Sequence, residues 1–315
     1  MTGRSAAARK GARVPCKNAP VDWGDLRFFL AAARATSLGG AARALGVEHT
    51  TVSRRLAALE ETLGAKLFVR TPEGLSLTAA GHEVLPMAEE VERATQAISR
   101  AAFARDQRIE GTVRVTTSEA FSGFLVKQFA ELRDRHPGLL IEVLMANHPL
   151  DLSRGEADLA IRIMKTTQRD LMVKKIMDAG WSMYAAEGYV ARRGVPASPD
   201  SLAGHDVVGY DDAMSGVPGA QWLNAHAAGA NLVLRGNSLI SVFNAVIAGF
   251  GISVVPCFLA DVEPTLRRLT PNVLGSREVT LVVHPDMAKV ARVRAVIDFL
   301  TEVACRERTR FAGTG

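Results

Sequence analysis

"LGVEHTTVSRRLAALEETLG", residues 45–64, is the stretch whose reading decides the fold. At roughly 100° per residue Val52, Leu56, Leu59 and Leu63 share one narrow helical face, while Thr50, Ser53, Arg54 and Ala57 lie around the opposite one. Such a helix buries its leucines and presents small hydroxyls and a guanidinium outward from a rigid backing. The segments on either side say what the backing is. Upstream, "VDWGDLRFFLAAARATS" places Leu26, Phe29, Leu30 and Ala33 on one face. Next comes "SLGGAARALGV", in which Ser37 suits an N-cap, Leu38, Ala41, Ala42 and Leu45 share a face, and Gly46 suits a helix end. Downstream, "AKLFVRTPEGLSLTAAG" reads as two short strands joined by a Pro-Glu-Gly turn. Three short helices followed by a β-hairpin make a winged helix-turn-helix, assigned to residues 21–80.

Residues 81–108 then read as one long linker helix. Val84, Met87, Val91, Ala94, Ile98 and Ala101 recur at spacings of three and four, a heptad seam that an isolated helix cannot bury, so the pattern predicts a homodimer. Pro86, near the start, is expected to kink or restart this helix without abolishing it. From residue 111 the texture turns α/β. "TVRVTTS", "LLIEVLMA", "ADLAIRIM", "HDVVGYDD", "NLVLRG", "GISVVP" and "EVTLVVHP" read as strands, and "EAFSGFLVKQFAELRDRHPG" and "SLISVFNAVIAGFG" as helices among them. This alternation implies largely parallel sheets covered by helices, in two doubly wound subdomains sharing a cleft. Their bounds are about 111–183 with 283–305 for the first and 184–282 for the second.

The composition limits the partners. The chain has 315 residues, 48% of them hydrophobic and 23% charged, which suits a globular protein of more than one domain. Its formal charge of +5 equals the contribution of Arg4, Arg9, Lys10, Arg13 and Lys17 in an acid-free tail, residues 1–20, read as a disordered arm. The body is therefore neutral, and bulk charge alone does not make it a nucleic-acid binder. Cys16, Cys257 and Cys305 are odd in number and widely spaced, as expected of reduced thiols in a cytoplasmic protein. Cys257 reads more readily as a buried, inert thiol than as a redox sensor, having no basic neighbour in sequence. The seven histidines, His49, His82, His136, His148, His205, His226 and His284, show no metal-ligand spacing, so no metal or cofactor is assigned. The apolar run 245–260 is too short for a membrane span and is broken by Gly249, Gly251 and Pro256; a helix, a tight turn and a buried strand account for it.

With these features in place, the chain resembles the LysR-type transcriptional regulators over residues 21 to about 305. The resemblance is carried by Ser53-Arg54, Leu59-Glu60, Leu63-Gly64, Leu67-Phe68, Arg70, Leu77-Thr78 and Gly81. "GEADLAIR" and "VIAGFGISVVP" are similar to two recurring stretches of the family's effector-binding domain. It implies a dimer that binds double-stranded DNA and often assembles into a tetramer, with a periplasmic-binding-protein-like C-terminal domain that binds a small molecule, and RNA polymerase among the candidate partners. The chain departs from the family in carrying Glu48, His49, Thr50 and Thr51 where many members have Ser-Gln followed by Pro or Ser. An imidazole cannot read adenine bidentately as an amide does, so the operator preference is expected to differ.

Chemistry then assigns roles. His49, Thr50, Thr51 and Ser53 stand near a helix N-terminus that favours phosphate; Arg54 is the candidate for base readout, Arg55 for phosphate, and Arg70 for a backbone or minor-groove contact at the wing. In the α/β part, Thr116, Thr117 and Ser118 precede one helix and Asn237 and Ser238 another. Two such N-termini across a cleft suit a small anionic effector, most simply a carboxylate, with Arg162 as a supporting cation if its side chain turns inward. The competing readings are a small-molecule-binding protein or enzyme of α/β type whose N-terminal helices serve only for dimerisation, and a nonspecific nucleoid-type binder acting through the tail. The first lacks a nucleophile with a paired base; the second would lose all DNA binding with the tail.

Overall fold

The computed structural model describes residues 21–72, 74–103, 107–145, 150–163, 170–198 and 201–314, with 100–103 by backbone alone. The basic tail, Cys16, Glu73 of the hairpin turn, the seam side chain Ala101 and His148 lie outside the described residues or side chains. The chain divides into two compact units, residues 1–98 and 99–315.

The N-terminal unit follows the sequence closely. Helices α1 (Trp23–Ala35), α2 (Leu38–Leu45) and α3 (His49–Leu63) precede strands β1 (Phe68–Thr71) and β2 (Gly74–Leu77) and the long helix α4 (Ala79–Phe103). The Ser37 side chain caps α2 by accepting the Gly40 N–H at 3.1 Å. Gly46 and Gly64 end α2 and α3 in the left-handed conformation, their N–H groups returning to carbonyls of the last turn. The core joins Leu26, Phe29 and Leu30 of α1, Val52, Leu56 and Leu59 of α3, Leu67 and Ala88, with the Phe29 and Phe68 rings 5.4 Å apart. Leu63 departs from the expected buried face and is 37% exposed, because α3 ends at Gly64 one residue later and its last turn outlasts the packing. Ala33 is only half-buried, whereas Ala31 and Ala32 are buried.

Pro86 sits inside α4, which is continuous through it. Of the expected seam, Val84 packs on the N-terminal core beside Leu85 and the buried Ala88. Met87, Val91, Ala94 and Ile98 are exposed, Ile98 at 72%, and form an apolar stripe along the helix.

The C-terminal unit contains β3 (Gly111–Thr116), α5 (Glu119–Arg135), β4 (Leu139–Leu144), β5 (Leu159–Arg162), β6 (Met172–Ala186), α6 (Glu187–Arg193) and β7 (Asp206–Tyr210). There follow α7 (Pro218–His226), β8 (Asn231–Gly236), α8 (Leu239–Ile247), β9 (Ser253–Pro256), α9 (Cys257–Ala260), β10 (Leu266–Arg268), β11 (Gly275–Val283) and α10 (Ala291–Ala312). The expected parallel pairing holds for β3 with β4 and β5, and for β7 with β8. The main sheet is nevertheless mixed, in the order β10-β6-β11-β5-β3-β4 with β9 also on β6, because β11 is antiparallel to β5 and β6, and β6 to β9 and β10. The small β7–β8 sheet joins it through paired backbone bonds, Val208 N–H to Ile252 O and Ile252 N–H to Asp206 O, each 2.9 Å.

Strand β6 spans 15 residues, exposed at its start and buried throughout its second half. It carries no alternation that would mark it as a strand. Gly180, in its middle, is required by packing: a Cβ there would stand 2.3 Å from the carbonyl of Ala312, so the end of α10 lies directly on β6. Helix α10 therefore extends the domain past residue 305, with Phe311 fully buried and stacked on Phe258 at 4.6 Å. The apolar run 245–260 resolves into α8, a turn at Gly249 (φ 76°), the buried strand β9 and α9. No described helix is long and apolar enough to cross a membrane.

Candidate functional site

Two surfaces bring together the residues that sequence chemistry singled out. The first is the front of α3. Glu48 is its N-cap and makes no side-chain capping bond, while the N–H groups of Thr51 and Val52 bond to its carbonyl. The first turn thus carries no side-chain cap, and a helix N-terminus of that kind attracts phosphate by roughly 0.3–1 kcal/mol. His49, Thr50, Ser53, Arg54 and Ala57 are exposed and Thr51 is half-buried, which is the front expected from the helical spacing. Arg70 is exposed on β1, opposite Leu75 of β2.

Arg55 is placed differently. Its Nη1 donates to Asp25 Oδ1 at 3.1 Å, and its guanidinium lies 5.9 Å from the centre of the Phe28 ring. Asp25 is 8% exposed, so this pair ties α3 to α1 from the flank and gives Arg55 a structural partner besides its exposed position on the helix. Arg34 similarly bonds Glu92, joining α1 to α4. Sequence reasoning missed Asp25; an acid inside the apolar face of α1 was the available signal.

The hairpin is held by two further devices. Glu60 Oε1 accepts the N–H groups of Leu67 (2.9 Å) and Phe68 (3.4 Å), and its other oxygen accepts from Lys66, so the end of α3 clamps the start of the wing. Burial opposes ionisation of this carboxyl, but the Lys66 and backbone bonds outweigh it and hold its pKa below the ordinary value. Thr78 Oγ1 accepts the Gly81 N–H at 3.0 Å and donates to Lys66 O at 2.6 Å, capping α4 against the same corner.

The second surface lies at the β3–α5 and β8–α8 corners of the C-terminal unit. Thr116 and Thr117 are buried and Ser118 is the N-cap of α5, without a side-chain capping bond. Asn237 is exposed, and Ser238 caps α8 by accepting the Ser241 N–H at 3.2 Å. The structure does bring these two helix starts together: Ser238 Oγ donates to Glu119 Oε2 at 3.1 Å. Glu119, in the first turn of α5, was not among the expected residues, yet its carboxylate stands beside the Ser238 cap of α8. Arg162 makes a bond to the backbone of the preceding connection. Its Nη2 donates to Leu150 O at 2.8 Å, and desolvation lowers its pKa against the opposing pull of Asp151. Cys257 is fully buried; burial pushes its thiol pKa up, as expected of an inert thiol.

Comparison with known proteins decides the family. Residues 106–305 match the family model described as the LysR substrate binding domain, and residues 23–82 match that of the bacterial regulatory helix-turn-helix protein, lysR family. The chain belongs to the LysR family. This LysR-type regulator is 25% identical over 292 residues to the HTH-type transcriptional regulator CrgA of Neisseria meningitidis serogroup C, covering 88% of this chain and 95% of CrgA. It is 26% identical to the Mau operon transcriptional activator of Paracoccus denitrificans, covering 90% of this chain and 96% of that protein. Its fold is that of the full-length Vibrio cholerae virulence activator AphB, with a TM-score of 0.58 at 19% identity, over 89% of this chain and 99% of AphB. It is a DNA-binding transcriptional regulator with an effector-binding domain, not an enzyme, and regulators of this family bind small molecules and form oligomers.

Proposed function

We propose that this regulator reads its operator with the front of α3, using Arg54 on base edges and the hydroxyls of Thr50, Thr51 and Ser53 with His49 on phosphate and neighbouring base atoms, while Arg70 contacts the backbone or minor groove. The observation that carries this reading is the exposed Thr50–Ser53–Arg54 surface on an uncapped helix start, backed by the fully buried Val52 and Leu59. A rigid backing holds the reading groups in register, which base recognition requires. Arg55 supports the helix rather than the contact.

In the same proposal a small effector binds at the β3–α5 and β8–α8 corners, among Thr116, Thr117, Ser118, Asn237 and Ser238. Binding one arrangement of the protein better than another then shifts the population that engages the operator. The exposed stripe on α4 serves dimerisation, a tetramer forms through a second interface, and the regulator acts in the cytoplasm with RNA polymerase as its downstream partner. The testing experiment is selection of bound DNA from a random pool with the full-length chain, followed by footprinting. A discrete protected site that survives deletion of residues 1–20 is expected; binding that shows no sequence preference, or that vanishes with the tail, refutes the reading.

A further inference from the structure

We propose that the effector of this regulator carries a cationic hydrogen-bond donor, an ammonium, amidinium or guanidinium, that engages Glu119. The inference rests on the effector site proposed above and names its ligand class. Glu119 stands in the first turn of α5 and bridges to Ser238, the cap of α8, through a single 3.1 Å bond. An ionised carboxylate accepts about four hydrogen bonds and donates none. Among the described residues no cation pairs with Glu119, and the residue is exposed with one hydrogen bond to its carboxylate. A helix N-terminus favours a carboxylate in its first turn, and an external anion arriving there meets the like charge of Glu119.

Three neighbouring observations agree. The cation expected to balance an effector carboxylate, Arg162, is directed to the Leu150 carbonyl. Thr117, only 8% exposed and in the connection that leads into α5, has a buried Oγ1 without a hydrogen-bond partner, a hydroxyl still able to accept from a donor-rich group. The Ser241 hydroxyl already donates to Ser238 Oγ at 3.4 Å, so Ser238 stays held at the start of α8 when Glu119 turns to a ligand. An incoming carboxylate meets a like charge and displaces the Ser238 bond; an incoming amidinium meets an acceptor with open sites.

The test uses two probes of one shape and opposite charge, benzamidine and benzoate, with calorimetric titration of the full-length protein and of Glu119→Gln, Ser238→Ala and Asn237→Trp. Benzamidine is expected to bind the wild type at least tenfold more tightly than Glu119→Gln, and benzoate to bind Glu119→Gln at least tenfold more tightly than the wild type. Retained operator binding by each variant establishes that it is folded. Benzoate binding to the wild type as well as to Glu119→Gln, and abolished by Asn237→Trp, overturns the charge assignment and leaves the effector site standing. Benzamidine binding that is indifferent to Glu119→Gln overturns the assignment as well. Failure of both probes on both forms counts against the assignment and the site together.

Discussion

Replacing Gly74 by alanine tests whether the wing is positioned by one backbone contact. Gly74 has φ 137°, a conformation that residues with a Cβ rarely adopt, and a Cβ there would stand 2.5 Å from the Thr36 carbonyl oxygen. That oxygen cannot retreat freely: it accepts the Leu75 N–H at 2.8 Å, and Thr36 is itself held at φ 48° at the end of α1. The strained φ costs about 1–3 kcal/mol, and loss of the Leu75 bond adds about 0.5–1.5 kcal/mol. The sum for Gly74→Ala is about 1.5–4.5 kcal/mol. Gly46 is the internal control, since φ is 65° with nothing within 4 Å of an added Cβ, so only the conformational term of about 1 kcal/mol applies. Amide hydrogen exchange of the full-length protein, where exchange follows the local opening equilibrium, reads both. At about 1.4 kcal/mol per tenfold, exchange in residues 68–77 is expected to accelerate roughly tenfold to a thousandfold in Gly74→Ala. Gly46→Ala is expected to accelerate exchange about fivefold, confined to the α2–α3 turn. Hairpin exchange within threefold of the wild type in Gly74→Ala, or an equal effect of the two substitutions, refutes the docking argument.

Arg54→Ala is expected to cost about 1–3 kcal/mol in operator affinity and to relax preference at one base pair. Arg55→Ala should instead lower the stability of the N-terminal unit by about 1 kcal/mol, with sequence preference unchanged in a repeat selection. Because the pKa of Glu60 is lower in the folded chain than its ordinary 4.5, its clamp contributes fully above that value and is lost as pH falls through the folded value. A wild-type loss of N-terminal-unit stability in that acidic range, absent from Glu60→Gln, is the expected result of denaturation series at stepped pH. Glutamate at both Val91 and Ile98 places charge on the exposed stripe of α4 and should reduce the oligomer in sedimentation velocity; an unchanged mass shows that the stripe is not the pairing face.

The N-terminal unit was legible in its sequence because its information is local. Three amphipathic helices of fixed face, a Ser37 cap, Gly46 and Gly64 stops and a short hairpin are properties of residues within a few positions of each other. The α/β unit was legible in its strands and helices but not in their pairing. Strand β6 joins β9, β10 and β11 and lacks alternation, since its second half is buried on both faces, and Gly180 looks like a strand breaker until Ala312 is seen against it.

By itself, the sequence determined which side chains form the front of α3 and which residues stand at the starts of α5 and α8, because helical period and side-chain capping act between residues a few positions apart. Only the tertiary structure decided what those groups are free to do. Asp25 lies 30 positions from Arg55 and Glu119 lies 119 from Ser238, yet each pair meets through a hydrogen bond near 3.1 Å. Separations of that size leave no periodic trace in the chain; packing brings the partners together, pairing Arg55 with Asp25 and setting the Glu119 carboxylate beside Ser238.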